Sequence, residues 1–297
     1  MKRVLCLPGG GLLGTITTTM LVNFQKHIGM SLQKFFNSYH GESTGSLEGS
    51  VLAAGGDIQM LQDLYIQNGY HIFTPQHSWL TPWNKFKYPL YDRQRVLGPL
   101  ETSLKSLGVE TYGQLKQKFV CGAVNELTKE SNYFKSDDPT LKDERVIDIV
   151  ERSFSALMYF GPTIDNKNKV VYGDNGTGIN NNPTLPAFFE NLSAIMAGEE
   201  FEFYCFGTGW TSVVDNFETV SKWNLINQLW DFYLANGETL ARVQAQIQAI
   251  TTMNWIAKNL SNVKFFYYNV EIPKKLNVMD GRDYIQEYVN YGNSVKF

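Results

Sequence analysis

The opening of the chain is the sequence feature that most constrains its fold. Residues 4–7, Val-Leu-Cys-Leu, form a short apolar run, and three consecutive glycines follow at 9–11. This pattern is typical of a buried strand that enters a tight turn. From about residue 15 to residue 36 the apolar residues recur at helical spacing, with a break indicated near Gly29. The chain is therefore predicted to begin with a strand, a glycine turn and a helix.

The same alternation of strands and helices continues along the chain. Further strand candidates lie at 118–124, 169–172 and 202–206. A helix rich in small residues is predicted at 47–56, and helical patterns fill much of the remaining intervals, including about 220–260. Such alternation is typical of a largely parallel sheet with both faces covered.

We therefore predict the α/β class, with one domain over residues 1–297. Its central, mostly parallel sheet is expected to carry helices on both faces. Within this domain we expect the catalytic elements between residues 3 and 215, and a helical C-terminal part of the same domain over 216–297.

Composition excludes several classes of protein. Hydrophobic residues make up 43% and charged residues 19%, and the net charge of −3 lacks the basic excess of a nucleic-acid-binding surface. Cys6, Cys121 and Cys205 match no metal or redox spacing, so we expect reduced core residues of a cytoplasmic protein. The N-terminal apolar run is too short for a secretory signal, and no apolar stretch approaches the ~18–20 residues that span a bilayer. Any membrane contact is therefore expected to be peripheral.

The first glycine segment, Gly-Gly-Gly-Leu-Leu-Gly at 9–14, allows two functional interpretations and a structural one. It satisfies the GxGxxG pattern of dinucleotide-binding folds, which also requires an acidic residue about 20 positions later. Residues 1–41 contain no Asp or Glu, and no phosphate-loop Lys follows the glycines. Alternatively, bare backbone N–H groups at the start of a helix supply an oxyanion hole. A turn that is needed only for packing is the third possibility.

The second glycine segment, Gly-Glu-Ser-Thr-Gly at 41–45, matches the GxSxG nucleophile elbow. In this motif, flanking glycines let a serine occupy a strained turn between a strand and a helix. An ordinary Gly/Ser loop is the alternative. The pairing with the upstream glycines favours Ser43 as a nucleophile.

The histidines exclude the usual catalytic triad. An α/β-hydrolase with this elbow has its acid and then its histidine after the serine. The four histidines are His27, His40, His71 and His77, so none lies beyond position 77. We expect all four to be structural or surface residues. The base for Ser43 is then expected to be a carboxylate within hydrogen-bonding reach.

At this point the sequence resembles the patatin-like phospholipases. That family has a glycine-rich oxyanion segment, a GxSxG elbow, and a later Asp-Gly-Gly or Asp-Gly-Ala segment ahead of Asn-Asn-Pro. The corresponding segments here are residues 8–14, 41–45 and 173–183, the last of which reads Gly-Asp-Asn-Gly-Thr-Gly-Ile-Asn-Asn-Asn-Pro. Residues 152–162 resemble the family's serine-alanine-proline segment, and 206–209 resemble its Gly-Thr-Gly. The resemblance covers about residues 3–215.

The resemblance implies a serine and aspartate dyad, with Ser43 as nucleophile and Asp174 as base. It also implies that backbone amides of Gly9, Gly10 and Gly11 bind the oxyanion, and that no metal or cofactor takes part. The expected reaction is hydrolysis of the carboxylic esters of glycerophospholipids or related acyl lipids. The expected partners are this lipid and, transiently, a membrane surface, and an activating partner or ligand of unknown identity stays open.

Three positions depart from the family pattern. Pro8 stands where the family has Asp, and Leu13 stands where it has Arg. Counting back from Pro183 in the commonest family spacing reaches Asn175 rather than Asp174, which indicates either one inserted residue or loss of the acid. We predict the insertion, because a loop rich in Gly and Asn tolerates one residue easily. The Asp-Gly pair at Asp280 has nothing resembling Asn-Asn-Pro after it and is interpreted as unrelated.

An aromatic segment at 77–91 interleaves Trp, Tyr and Phe with lysines and prolines. Trp79 and Trp83 are candidates for contact with substrate or membrane, because such side chains suit the boundary between headgroups and acyl chains. A loop whose aromatics only pack on the domain is equally consistent. Two other functional classes also stay open: a catalytically weak or inactive lipid-binding effector on the same scaffold, and a nucleotide-dependent oxidoreductase.

Overall fold

A computed structural model describes residues 1–76, 89–177, 180–211 and 237–297 of the chain. Strands β1–β8 cover Lys2–Leu7, Ser38–Gly41, Lys118–Asn125, Glu130–Lys135, Thr163–Asp165, Val170–Asp174, Phe201–Phe206 and Val263–Tyr268. Helices α1–α10 cover Gly14–Ile28, Leu32–Phe35, Thr44–Ala53, Ile58–Ile72, Gln94–Ser106, Val146–Phe154, Thr184–Glu190, Leu192–Met196, Gly237–Asn259 and Ile285–Ser294. Short 3₁₀ turns lie at Gly11–Leu13, Tyr112–Gln114, Asn175–Thr177, Lys274–Leu276 and Arg282–Tyr284.

The strands form one sheet with the order β5-β6-β3-β2-β1-β7-β8, and β4 pairs with β3. The five strands from β3 to β8 in this order run parallel to their neighbours. β4, β5 and β6 form an antiparallel branch at one side. The predicted α/β fold with a central, mostly parallel sheet is therefore confirmed.

Alternation along the central strands distributes their side chains between two cores, because successive side chains of a strand point to opposite faces. In β1, Leu5 and Leu7 belong to the larger core, whereas Val4 and Cys6 belong to the smaller one. All four are buried, which explains why β1 is a continuous apolar run rather than an alternating one. Helices α1, α3, α4 and α6 supply side chains to the larger core, and α7, α8 and α9 to the smaller one. The expected coverage of both faces is confirmed.

Glycine ends the first helix where the sequence indicated a break. Gly29 adopts the left-handed conformation with φ 66°, and its N–H donates to the carbonyl of Gln25. Glycine enters this region without the steric cost that a Cβ brings, so it is suited to the end of a helix. The chain then forms the short helix α2 before β2.

Strand β8 corrects one expectation from the sequence. The part over 216–297 was expected to be helical, but Val263–Tyr268 pairs in parallel with β7 and extends the sheet. Its residues are mostly half-buried, with Val263 in the smaller core and Phe266 against the larger one. Such an apolar run at the edge of a sheet does not show the helical period, and the aromatic residues that compose it favour strand. No helix in the described ranges is both long enough and apolar enough to cross a membrane.

Candidate active site

Ser43 lies in a strained turn between β2 and α3. Its backbone has φ 52° and ψ −121°, a conformation that costs a non-glycine residue on the order of 1–3 kcal/mol and must be held by its surroundings. The flanking glycines are required sterically. A Cβ on Gly41 would collide with the carbonyl of Gly45, and a Cβ on Gly45 would collide with the carbonyl of Leu7. The geometry of a nucleophile elbow is therefore built into 41–45.

Hydrogen bonds hold this turn from both sides. The N–H of Ser43 donates to the hydroxyl of Ser153 over 3.3 Å. The carbonyl of Ser43 accepts from the hydroxyl of Ser46 over 2.6 Å and from its N–H over 2.9 Å. The Ser43 hydroxyl is left to face the adjacent cavity and the end of β6.

The sheet brings Asp174 to Ser43 through strand β3, which serves as the common partner of β2 and β6. Gly41 pairs with Cys121, and Asp174 pairs with Ala123. Because β4 pairs with β3 from Val120 to Asn125, it occupies the other edge along this length. Strands β2 and β6 therefore lie end to end along one edge of β3 and meet beside Gly122. The residue two positions after Gly41 and the last residue of β6 consequently come together.

Asp174 is buried and contacts the serine directly. The Ser43 hydroxyl donates to Oδ2 of Asp174 over 2.6 Å. The N–H of Gly176 donates to Oδ1 over 2.6 Å, which fixes the rotation of the carboxylate. The N–H of Asp174 itself donates to the carbonyl of Ser155 over 3.0 Å.

Asn175, the competing candidate in the 173–183 segment, points elsewhere. Its Oδ1 accepts from the hydroxyl of Ser131 over 2.7 Å, and its side chain is buried behind the elbow. Asp174 thus occupies the position beside Ser43, and Asn175 does not. This placement agrees with the predicted insertion of one residue.

The glycine loop at 9–11 packs against the elbow. A Cβ on Gly9 would lie 2.9 Å from Cβ of Ser43, so only glycine permits this approach. Gly11 has φ 58°, and a Cβ there would collide with the carbonyl of Met279. That carbonyl accepts from the N–H of Leu12 over 2.7 Å. The loop is therefore fixed in position from the side of the elbow and from the side of Met279.

The three glycine amides differ in availability. The N–H of Gly9 donates to the carbonyl of Asn181 over 3.1 Å and is already satisfied. Along the described ranges, no backbone acceptor is found for the N–H of Gly10 or Gly11, and both residues line the cavity beside Ser43. Of the three predicted oxyanion donors, Gly10 and Gly11 therefore have N–H groups available to bind an oxyanion. The N–H of Gly9 instead anchors the loop.

The segments that resemble Asn-Asn-Pro and Gly-Thr-Gly hold this glycine loop. The carbonyl of Gly9 accepts from the amide of Asn181 over 3.4 Å and from the hydroxyl of Thr208 over 3.1 Å. Asn182 caps α7 by accepting from the N–H of Thr184 over 3.0 Å. The sequence motifs contained Asn181 and Thr208 but gave no sign of which backbone group they would bind.

The cavity at Ser43 is lined largely by apolar side chains. Its volume is about 680 Å³, part of which is open to solvent. Polar side chains at its surface belong to Ser43, Asp174 and Asn181, and to Thr44 and Tyr65. The apolar part of the lining comes mainly from Leu12, Leu47, Leu64, Ile72, Phe73, Val96, Phe154, Tyr159, Phe160 and Met279. The reacting groups therefore face a long hydrophobic space.

Comparisons with known proteins find similar phospholipases. A cGAMP-activated phospholipase of Vibrio cholerae serotype O1 is 27% identical over 207 residues, which are 63% of this chain and 57% of that protein. A cGAMP-activated phospholipase of Escherichia coli is 25% identical over 200 residues, which are 63% of this chain and 55% of that protein. The chain resembles the patatin-like phospholipases. It spans about half the length of the curated relatives that it matches.

No family model matches the chain. Among solved structures, VipD from Legionella pneumophila aligns with 97% of this chain and 66% of its own, with a TM-score of 0.44 and 14% identity.

Two of the departures of this chain from the patatin-like pattern lie within the fold rather than at the cavity. Pro8 is buried between β1 and the glycine loop, and Leu13 is fully buried in the larger core. A proline before Gly9 removes one N–H but leaves those of Gly10 and Gly11. Leu13 offers no charge to a substrate, so anchoring by a side chain at that position is absent.

Two buried carboxyl groups surround the elbow. Burial raises the pKa of Glu42 well above its usual range, the charge of Asp174 raises this pKa further, and the nearby Asn175 amide opposes the shift. Burial likewise raises the pKa of Glu48, opposed by a hydrogen bond from the Tyr65 hydroxyl. Both side chains favour the neutral form, so they leave Asp174 as the carboxylate suited to carry charge at the site.

His40 and Asp280 lie apart from the dyad. Burial, aided by the charge of Lys118, lowers the pKa of His40 to about 3, and this residue does not line the cavity. Asp280 accepts a hydrogen bond from the Tyr91 hydroxyl rather than from Ser43. His77, Trp79 and Trp83 lie outside the described residues. Cys6, Cys121 and Cys205 are buried and form no disulfide.

Proposed function

We propose that this chain is a lipid acyl hydrolase of the phospholipase A type. It acts on the carboxylic esters of glycerophospholipids or related acyl lipids, with Ser43 as nucleophile and Asp174 as base. The observation that carries the proposal is the 2.6 Å hydrogen bond from the Ser43 hydroxyl to Asp174, beside a mostly apolar cavity. The 27% and 25% identical relatives that are named as phospholipases support it.

The first half of the reaction forms an acyl-enzyme. The Ser43 Oγ attacks the ester carbonyl while its proton passes to Oδ2 of Asp174. The carbonyl oxygen becomes an oxyanion, which the N–H groups of Gly10 and Gly11 stabilise from the side of the glycine loop. The C–O bond to the glycerol oxygen then breaks, and the leaving alcohol takes the proton from Asp174.

The second half of the reaction hydrolyses the acyl-enzyme. A water molecule gives its proton to Asp174 as its oxygen attacks the Ser43 ester. The same two amides hold the second oxyanion, and collapse releases a fatty acid while Ser43 regains its proton. No step requires a metal or cofactor.

The cavity supports an acyl chain as the group next to the reacting carbonyl. The side chains of Leu47, Ile72, Phe73 and Phe160 offer dispersion contacts and exclude water, whereas a charged headgroup would lose its hydration there. We propose that the acyl chain enters this space and that the headgroup stays towards solvent. Burial of methylene groups contributes about 0.8 kcal/mol each, so long chains are expected to bind better than short ones.

Contact with a lipid surface is part of the proposal. Leu157 and Met158 are exposed, at 47% and 72%, although their neighbours Ala156 and Tyr159 line the cavity. Apolar side chains exposed beside the entrance to an apolar cavity suit a membrane surface better than water. We propose that the rim of the cavity formed by Leu157 and Met158 touches the bilayer while the acyl chain of a lipid moves into the cavity.

Release of fatty acid from mixed phospholipid vesicles tests the proposal. Wild type, Ser43→Ala and Asp174→Asn are compared, each without and with cGAMP, because the relatives are named as cGAMP-activated. Fatty acid released by wild type and lost in Ser43→Ala is the expected result. Equal release by wild type and Ser43→Ala, or no release by wild type in either arm, would contradict it.

A lipid-binding effector without catalysis is the second candidate. The departures at Pro8 and Leu13 favour it, since the family's charged side chains are missing from both positions. It predicts that wild type and Ser43→Ala bind vesicles equally and that neither releases fatty acid.

A further inference from the structure

A buried polar cluster lies behind the elbow, on the side away from the cavity. It consists of Glu42, Asn175, Ser131 and Asn180. The first two are about 1% exposed, and none of the four lines the cavity at Ser43. The reaction outlined above uses none of these side chains. Each of the two dyad residues nevertheless has a sequence neighbour in the cluster.

The cluster occupies the junction where β2 and β6 meet beside Gly122. At this point the edge of β3 passes from one partner strand to the other, between the pairs Gly41–Cys121 and Ala123–Asp174. Side chains that follow the two strands converge on the gap. A Cβ on Gly122 would lie 2.6 Å from Oε1 of Glu42 and 2.7 Å from Nδ2 of Asn175, so glycine leaves the space in which the two groups approach.

Asn175 connects this junction to the neighbouring strand. Its Oδ1 accepts from the Ser131 hydroxyl over 2.7 Å, and that hydroxyl accepts from the amide of Asn180 over 2.7 Å. Nδ2 of Asn175 and Oε2 of Glu42 are both buried and have no hydrogen-bond partner in the described ranges, and the two groups face the same gap at Gly122. Leaving such a pair unmatched would cost about 1–3 kcal/mol per group.

We propose that Glu42 and Asn175 are positioning residues that hold Ser43 and Asp174 at bonding distance. Glu42 fixes the elbow side of the junction, and Asn175 fixes the acid side by packing its amide against Glu42 at Gly122 and by accepting a hydrogen bond from Ser131 with its carbonyl. The expected effect on catalysis rests on the proposed function. The expected effect on the distance between Ser43 and Asp174 does not.

The charge state of the junction fits this role. Burial raises the pKa of Glu42, and the groups that face it are Asp174, Cys121 and Tyr133. Burial also raises the pKa of Tyr133 to about 12 and that of Cys121 above its usual range, so both stay neutral at pH 7. A neutral Glu42 can meet the Asn175 amide without placing a second negative charge beside Asp174.

The test compares conservative and disruptive changes at both positions. Asn175→Ala and Glu42→Ala are expected to lower kcat for a short soluble ester by about 10- to 100-fold with little change in KM, because a misplacement of about 1 Å costs up to 10²-fold. Glu42→Gln keeps the shape and neutrality of the side chain and is expected to stay within about 3-fold of wild type. Asn175→Asp adds a like charge, so its rate is expected to fall at a higher pH than that of wild type as the medium is acidified.

Tyr112→Phe is the matched control. Its buried hydroxyl also bonds to β3 and β4, through the carbonyls of Phe119 and Phe134, and contacts Cys121, but its partners in the described ranges do not include Glu42 or Asn175. Thermal unfolding of every variant separates loss of stability from loss of positioning. If Asn175→Ala keeps kcat within 3-fold of wild type, or if Tyr112→Phe loses as much as Asn175→Ala, the positioning role is wrong.

A crystal structure of Asn175→Ala separates this inference from the proposed function. The Ser43 Oγ to Asp174 Oδ2 distance, 2.6 Å in the wild type, is expected to lengthen beyond hydrogen-bonding range. An unchanged distance overturns the inference even if the chain hydrolyses lipids. A lengthened distance in a chain that hydrolyses none supports positioning and refutes the function.

Discussion

Replacing Asp174 by Asn should separate the chemistry of the dyad from its architecture. Asn has almost the same shape, and its carbonyl can still accept the N–H of Gly176, which now bonds to Oδ1 over 2.6 Å. The variant loses the proton acceptor that lies 2.6 Å from the Ser43 hydroxyl. The 3₁₀ turn that follows β6 should therefore remain, while general-base catalysis disappears.

The size of the effect follows from these contacts. General acid–base catalysis contributes about 10²- to 10⁴-fold, which corresponds to about 2.7–5.5 kcal/mol of barrier at 25 °C. The change in stability should be smaller, because one hydrogen bond to a charged acceptor becomes one to a neutral acceptor, a difference of about 1 kcal/mol. We therefore expect kcat/KM to fall at least 100-fold, with a shift in Tm of only a few degrees.

The assay is hydrolysis of a short soluble ester, which avoids any dependence on vesicle binding. Asp165→Asn is the matched control, since Asp165 is a nearly buried aspartate on β5, the strand beside β6, and bonds to Asn168 instead of Ser43. It is expected to retain kcat/KM. An Asp174→Asn variant that folds and keeps kcat/KM within 3-fold of wild type would refute the role of Asp174 as base.

Three further predictions concern charge, burial and the rim of the cavity. His40 has a folded-state pKa of about 3, below its unfolded value, so the chain loses stability as pH falls from about 6.5 towards 3. In urea unfolding, His40→Gln should reduce this loss of stability by up to ~1.4 kcal/mol per pH unit. Burial raises the pKa of Glu48, so the contribution of its neutral carboxyl to folding stability declines as pH rises above 4.5. Glu48→Gln should therefore raise Tm more at pH 8 than at pH 5, and an equal shift at both pH values would contradict this. Replacing both Leu157 and Met158 by Ser should lower vesicle hydrolysis more than soluble-ester hydrolysis; an equal loss would refute contact of the rim with the bilayer.

Local sequence signals predicted Ser43 as the nucleophile, whereas the resemblance to the patatin-like phospholipases implied Asp174. Gly41 and Gly45 are needed at the elbow because Gly41 faces the carbonyl of Gly45 and Gly45 faces the carbonyl of Leu7, and the five-residue GxSxG pattern carries both glycines. The run at 4–7 and the following glycines likewise predicted β1 and its turn. The absence of histidine beyond position 77 pointed to a carboxylate.

Long-range pairing lay beyond those signals. The contact between Ser43 and Asp174, 131 positions apart, depends on β2 and β6 meeting along β3, and no periodicity in either strand specifies that register. The antiparallel branch was missed for the same reason, whereas β8 was missed although its aromatic residues favour a strand. The N–H of Gly9 was counted among the oxyanion donors because the sequence does not reveal its bond to the carbonyl of Asn181.

Covalent trapping of the nucleophile tests the central claim most directly. Incubation with a long-chain fluorophosphonate, followed by peptide mass spectrometry, reports which residue attacks an acyl-like electrophile. The account predicts a single adduct on the peptide that contains Ser43, no adduct in Ser43→Ala, and slow labelling in Asp174→Asn. An adduct on any other residue, accompanied by loss of lipid hydrolysis while Ser43 stays unmodified, would contradict it.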